Sequence, residues 1–336
     1  MKICIIGAGS IGGLVGAGFM QAGEDVTFIA RPLHLAALKK HGLTIQRAGG
    51  GEVVYPDVKA TEDIESCGAQ DLVILAIKAH QIAPIAQRLR SLMGPETIVL
   101  PMQNGVPWWY FQRHGGEFDG RQLASCDPTG ELTRHIEPER IIGCVVYPAA
   151  ELLGPGRVRH VEGDRFPLGE LDGRVTPRIQ RLSEAFTRAG FKAPILDNIR
   201  AEIWLKLWGN MSFNPISALT QATLVDICQF PLTRDLATRM MEEAQTIAHA
   251  LGIQFRVPLE KRIAGAERVG RHKTSTLQDA QNGRAMELEA LVGAVIELGQ
   301  VVNVPTPHIA AVHALAKLLE KTLQEEDGTI RILKRA

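Results

Sequence analysis

The chain has 336 residues, enough for two domains with separate cores. It is 45% hydrophobic and 22% charged, and Lys+Arg and Asp+Glu balance at 37 each, so no global basic field draws it to nucleic acid or an anionic membrane. Five scattered cysteines without a C-x-x-C pair suit a reducing cytoplasm and argue against a disulfide framework, a zinc site or any other metal centre.

Met1-Lys2 before an apolar run imitates the start of a signal peptide. Glycines at Gly7, Gly9, Gly12, Gly13, Gly16 and Gly18 crowd the segment where a signal needs a leucine-rich helix, and no clear cleavage site follows. No uncharged apolar run is long enough to cross a bilayer. The expectation is a cytoplasmic protein with no membrane partner.

Residues 2–6 (KICII) read as a short buried strand. Gly7, Ala8, Gly9, Ser10, Ile11 and Gly12 follow at once, then a helical run to residue 22 and a second strand at 25–30. A G-x-G-x-x-G between strand and helix, with a second strand behind it, is the context in which that motif signals a dinucleotide. Gly7 permits the tight turn, Gly9 keeps side chains away from the pyrophosphate, and Gly12 lets the helix pack closely. The helix N-terminus offers N–H groups to the phosphates. At the end of the second strand stands Ala30-Arg31, where NAD sites usually carry a carboxylate. A guanidinium there suits a 2′-phosphate, which argues for NADP(H); the plain alternative is a surface arginine opening the next helix.

A helix is expected at 34–41, then strand-like runs at 43–46 and 52–55 around a glycine turn. Residues 71–77 (DLVILAI) form the next buried strand, and Lys78 opens a helix through residue 92. Another strand at 97–100 runs into Met102-Gln103-Asn104-Gly105. Lys78 and Asn104 thus both stand at carboxyl ends of strands, where open parallel sheets bind ligands. Residues 106–139 are irregular and hold Trp108-Trp109-Tyr110-Phe111, which either lines the substrate pocket or packs a long insertion onto the sheet. Cys126, His114 and His135 match no metal-binding spacing. Strands at 140–150, 156–161 and 166–169 are expected to finish the sheet in antiparallel fashion, with a helix at 175–189.

From Asn198 the pattern turns helical, with helices at 199–211, 215–219, 232–251, 259–269, 277–301 and 307–319. Lys206, Asn210 and Asn214 fall at i, i+4 and i+8 and share a face. One ammonium and two carboxamides in a row suit a small oxygen-rich anion; the bland alternative is an amphipathic helix with a wet side. Ser275 with Gln278 fits a capping box. Glu287 aligns with Leu291, Ala294 and Leu298 on an apolar stripe. A carboxylate there needs a partner: Lys206, a ligand beside it, or Arg284 one turn back. The fold class is α/β: a Rossmann-type dinucleotide-binding domain over 1–194 followed by an all-helical domain over 195–330.

These pieces resemble the ketopantoate reductase (2-dehydropantoate 2-reductase) family. The matching segments are GAGSIG from Gly7, Arg31, IKAHQ from Ile77, QNG from Gln103, NIRAEIWLKLWGN from Asn198, the following Asn214-Pro215, and STLQD from Ser275 with Glu287. The resemblance spans most of the chain. It implies Lys206 as the general acid, and Glu287 holding the substrate hydroxyl and the cofactor. It implies Asn210, Asn214 and Ser275 as substrate ligands, Asn104 and Lys78 at the nicotinamide end, with Asn104 and Lys206 also touching substrate, and Ala149 on a cofactor contact. Two departures bear on substrate choice: Ala222-Thr223-Leu224 stands where a further polar substrate contact is common in the family, and the 106–139 segment is long. The implied function is NADPH-dependent reduction of a 2-oxo acid, with ketopantoate the default and a bulkier or more apolar 2-oxo acid the alternative. Two rivals remain open: a non-catalytic NADP(H) sensor, and a 3-hydroxyacid or sugar-acid dehydrogenase of similar plan. Helical second domains of this kind often dimerise, so a homodimer is an open expectation.

Overall fold

The fold is described from a computed structural model over residues 1–332. Its contacts separate into two compact units. The first comprises Met1–Gln103, Trp108–Gln122 and Thr129–Ile199; the second comprises Asn104–Pro107, Leu123–Pro128 and the chain from Arg200. The change of unit at Ile199/Arg200 lies five residues beyond the expected 194, and two short pieces of the irregular segment belong to the helical unit.

The first unit is built on β1 (Lys2–Ile6), α1 (Ser10–Gln21), β2 (Asp25–Ile29), α2 (Pro32–His41), β3 (Leu43–Gln46), β4 (Glu52–Tyr55), β5 (Lys59–Thr61), β6 (Gln70–Leu75) and β7 (Met93–Pro101). It continues through the short α3 (Glu131–His135), β8 (Ile142–Cys144), β9 (Ala149–Gly154), β10 (Arg157–Glu162), β11 (Leu168–Glu170) and α4 (Pro177–Arg188). Strands β5-β2-β1-β6-β7 form a parallel sheet in that order. Apolar runs such as ICII and LVIL supply strands buried on both faces, as a helix-covered parallel sheet requires. Strand order reverses between β1 and β6, the crevice where such sheets bind ligands.

The later strands finish that sheet only in part: Ile141, directly before β8, bridges Val99 of β7 in parallel, and β8 pairs antiparallel with β11. Contrary to the pattern of the sequence, β9 and β10 pair antiparallel and join the β3–β4 hairpin in a second sheet of order β4-β3-β10-β9. The second sheet covers the outer side of α1. Side-chain-free positions make that sandwich possible: a Cβ at Gly13 would lie 2.9 Å from Val158 Cγ2 in β10, and one at Gly16 would lie 2.2 Å from Phe28 Cζ in β2. The glycines after the nucleotide motif therefore pack one helix between two sheets.

The helix expected over 78–92 is replaced by three short 3-10 turns, Ala79–Gln81, Ala83–Ile85 and Arg88–Leu92. Their bonds run i to i+3, as from Ile85 N to Ile82 O at 3.0 Å, and Pro84 denies the α-helical ladder a donor. β5 had no strand signal of its own, being three residues beside β2. The four aromatics Trp108 to Phe111 are all buried within the first unit and pack the insertion there.

The second unit holds α5 (Ile199–Thr220), α6 (Leu224–Gln229), α7 (Pro231–Ala250), α8 (Leu259–Arg268), α9 (Ser275–Gln281), α10 (Ala294–Val301) and α11 (Pro307–Glu325). These depart from expectation in three places. α5 runs unbroken through Pro215, where the sequence predicts two helices. An interior proline costs about 3 kcal/mol. Burial of Trp204, Leu207, Trp208 and Met211, at about 1.5–3 kcal/mol each, outweighs that. The long helix predicted over 277–301 is interrupted: α9 ends at Gln281, Gly283 takes φ +62°, and a π-helical turn at Glu289–Gly293 leads into α10. α6, one and a half turns long, was too short to show periodicity. Among the described residues no helix is long and apolar enough to cross a membrane.

Gly16→Ala tests the sandwich. Alanine gains up to about 1 kcal/mol in helix propensity over glycine. It also drives a methyl into the fully buried Phe28 ring, and overpacking of this kind costs about 1–3 kcal/mol. A net destabilisation in denaturant unfolding is the expected outcome; a gain in stability would show that α1 has room to shift.

Candidate active site

The candidate dinucleotide seat lies in the first unit. Gly7 adopts φ +107°, and a Cβ there would meet Ile77 Cγ2 at 2.7 Å and the Ala76 carbonyl oxygen at 2.8 Å. A Cβ at Gly12 would lie 2.0 Å from the Gly7 carbonyl oxygen and 3.1 Å from Ala76 Cβ. Gly12 is thus required by the turn itself and by the end of β6. Gly9 differs from both: nothing stands within 4 Å of its missing side chain. It is the N-cap of α1 without a side-chain cap, so the amides of Ser10 and Ile11 head an open helix N-terminus, with Ala8 buried behind them. Crowding at Gly7 and Gly12 with open space at Gly9 fits a pyrophosphate.

Arg31 is the exposed N-cap residue of α2, just past β2, and its guanidinium has no salt-bridge partner among the described residues. Lys78 is half-buried past the end of β6 and heads the first 3-10 turn, its backbone N–H donating to Gln81 Oε1 at 3.2 Å. Ala149 opens β9, opposite Glu162, in the sheet that covers α1.

The second unit carries the polar row. Because α5 is continuous, Lys206, Asn210 and Asn214 keep one helical phase and one face. Lys206 Nζ donates to Asn104 Oδ1 at 2.6 Å. Asn214 is buried, and its Nδ2 donates to Ser275 Oγ at 3.4 Å. The cap of α9 is Thr274, whose hydroxyl accepts from Leu277 N at 3.2 Å, and not Ser275 as the capping-box pattern suggests. Ser275 is thereby released to face Asn214. Trp208 anchors the helix: its Nε1 donates to the Met241 carbonyl at 2.7 Å, and its ring stacks on Phe255.

Glu287 does not sit on a helical stripe. It is half-buried in the irregular stretch before the π turn, and its carbonyl accepts from Leu291 N at 3.0 Å. Arg284 bonds elsewhere, its Nε lying 3.2 Å from Asp279 Oδ1. The stretch is pinned by the buried carboxylate of Glu320, which accepts from Met286 N at 2.8 Å and from Lys317 Nζ at 2.9 Å.

Sequence reasoning missed two groups. Glu202 lies one turn before Lys206 on the same face, is buried, and accepts from Arg256 Nη2 at 2.7 Å. Its i−4 spacing was visible in NIRAEIWLK, but its burial was not. The second group holds Asn104 in place. Gly105 takes φ +88° with a would-be Cβ only 2.3 Å from the Ala290 carbonyl oxygen, and Val106 N donates to that same oxygen at 2.8 Å. Cys126 donates to the Val106 carbonyl at 3.1 Å; burial pushes its thiol up to about 12, so it stays protonated. Next to it, Glu297 accepts from Ala124 N, Ser125 N and Ser125 Oγ at 2.8, 2.8 and 2.6 Å. These bonds explain why 104–107 and 123–128 belong to the helical unit. Among the described residues no group of three or more His, Cys, Asp or Glu is placed to hold a metal ion.

Glu297→Ala leaves two amides and a hydroxyl without their acceptor. These bonds are exposed or part-buried, so a fall in unfolding free energy of about 0.5–1.5 kcal/mol, the net worth of an ordinary hydrogen bond, is expected. An unchanged denaturation midpoint would mean that 123–128 is held by other contacts.

The family model for ketopantoate reductase PanE/ApbA matches residues 3–108, and that for the ketopantoate reductase PanE/ApbA C terminal matches 198–320. A 2-dehydropantoate 2-reductase of Mesorhizobium japonicum is 50% identical over 95% of this chain and 98% of its own. A crystal structure from Ralstonia solanacearum MolK2, provisionally described as a ketopantoate reductase, superposes with a TM-score of 0.91 at 39% identity, covering 96% of this chain and 98% of that one. D-Mandelate dehydrogenase, solved with NADH and anilino(oxo)acetate, shares the fold with a TM-score of 0.83 at 24% identity over 96% and 99% of the two chains. The chain belongs to the ketopantoate reductase family and is a dinucleotide-dependent oxidoreductase acting on CH-OH groups.

Proposed function

We propose that the protein reduces ketopantoate (2-dehydropantoate) to pantoate in pantothenate biosynthesis, with NADPH as reductant and Lys206 as general acid. The observation that carries this reading is the 2.6 Å bond from Lys206 Nζ to Asn104 Oδ1, on a helix face shared with Asn210 and Asn214. NADPH, when bound, would supply the hydride. Reduction of a 2-oxo acid builds negative charge on the carbonyl oxygen, and an ammonium within hydrogen-bond reach polarises that oxygen and then protonates it. Asn104 fixes the ammonium's direction by accepting one of its N–H bonds. Asn210, Asn214 and Ser275 offer neutral donors to the carboxylate, which bind it without quenching the acid. Glu287 is assigned to the substrate hydroxyl and the cofactor.

NADPH is preferred over NADH because Arg31 stands where a carboxylate would accept from an unphosphorylated ribose. A bulkier or more apolar 2-oxo acid is the second reading. It is favoured by the 222–224 stretch, where the Thr223 hydroxyl is committed to Asp226 in the cap of α6 and Leu224 N donates to His272 O at 3.1 Å. A binding-only sensor, by contrast, predicts no turnover.

An NADPH-oxidation screen over ketopantoate and branched and aromatic 2-oxo acids tests the proposal; no turnover with any of them would sink it. Lys206→Ala should lower kcat about 10²–10⁴-fold, the usual contribution of a positioned general acid. Arg31→Ala should lower kcat/KM for NADPH about 10–100-fold, the equivalent of a charge-assisted hydrogen bond, while leaving NADH little affected. An equal loss with both nucleotides would remove Arg31 from the 2′-phosphate.

A further inference from the structure

Gln103 has a side chain that no functional assignment uses. Its Nε2 donates to two backbone carbonyls past the end of β6, Leu75 O at 2.6 Å and Ile77 O at 2.8 Å. Leu75 O also receives Met102 N at 3.0 Å, the last backbone bond between β7 and β6. The carboxamide therefore extends that ladder by one side chain after the main chain has stopped pairing. The stretch it holds, 76–77, supports the nucleotide turn: the missing side chains of Gly7 and Gly12 face Ala76 and Ile77 at 2.7–3.1 Å. Lys78 is the next residue. On its other side Gln103 is one peptide bond from Asn104, the acceptor of Lys206, and the chain passes from the first unit to the second between these two residues. Its remaining polar atom, Oε1, is buried and has no hydrogen-bond partner among the described residues.

We propose that Gln103 is a positioning residue for the reaction: its carboxamide sets the Ile77–Lys78 end of the dinucleotide seat. It touches neither substrate nor the reacting atoms. This rests on the NADPH reading above. It predicts that removing the two donors loosens the nucleotide seat even where the fold survives.

The test is direct NADPH binding, followed by nucleotide fluorescence in the absence of any 2-oxo acid, on the full-length protein. Gln103→Met keeps the volume and removes the donors; a Kd at least tenfold weaker is expected at a temperature where the variant is fully folded by circular dichroism. Gln103→Glu adds a signature that general destabilisation does not produce. Ionised, it faces two carbonyl oxygens and binds NADPH weakly. Protonated, its carboxylic acid regains one donor, so its affinity should recover relative to the unmodified protein as pH falls, while that of Gln103→Met does not. Binding by Gln103→Met within twofold of the unmodified protein, or parallel pH profiles for the two variants, would overturn the proposal. Failure of the unmodified protein to bind NADPH would instead overturn the functional reading beneath it.

Discussion

The constraint on which the first unit depends is the closure of the turn between β1 and α1. The Gly7 carbonyl comes so close to Gly12 that a single methyl there would lie 2.0 Å from it. That closeness lets α1 start directly above the end of β1, with its N-terminus facing outward at Gly9. The same demand for small residues continues along the helix, because α1 is covered on both sides. Gly13 meets β10 and Gly16 meets β2. One set of glycines therefore makes the phosphate seat, and the next set locks the helix that carries it.

In the second unit the corresponding constraint is helical phase. Lys206, Asn210 and Asn214 act as a row only if the helix does not slip at Pro215. Apolar burial holds it: the stretch around the proline is almost wholly enclosed, and the lost backbone bond is small against that. The row is then completed by residues far away in sequence. The segment that follows Asn104 is seated on the carbonyl of Ala290 through Val106 N, and Ser275 is freed for Asn214 because Thr274 takes the cap. The π turn at Glu289–Gly293 begins two residues after Glu287. Such turns gather at functional sites, and here one places the Ala290 carbonyl where Val106 can reach it.

Much of this was legible in the residues. The glycine motif, its flanking strands, Arg31 and the i, i+4, i+8 row need only local rules: turn sterics, strand burial and a helix of 3.6 residues per turn. Where reading failed, a longer-range contact had outvoted a local pattern. Residues 277–301 carry a helical stripe, yet the chain leaves the helix at Gly283, and Glu320 from α11 takes the Met286 amide. Residues 149–162 look like further strands of the main sheet, yet they pair with β3 and cover α1. Strand pattern tells which face is buried but not which edge is joined, because backbone pairing is blind to side chains.

By itself the sequence determined a dinucleotide-binding α/β unit, a helical unit after it, and the types of group available for catalysis. These follow from periodicity and from residues whose chemistry is specific to their position. Only the tertiary structure decided that Asn104 accepts from Lys206, that Gln103 holds the end of β6, and that Glu202 and Glu297 are anchored carboxylates. Each is a hydrogen bond across 26 to 172 positions of chain, and no local rule encodes the partner of such a bond.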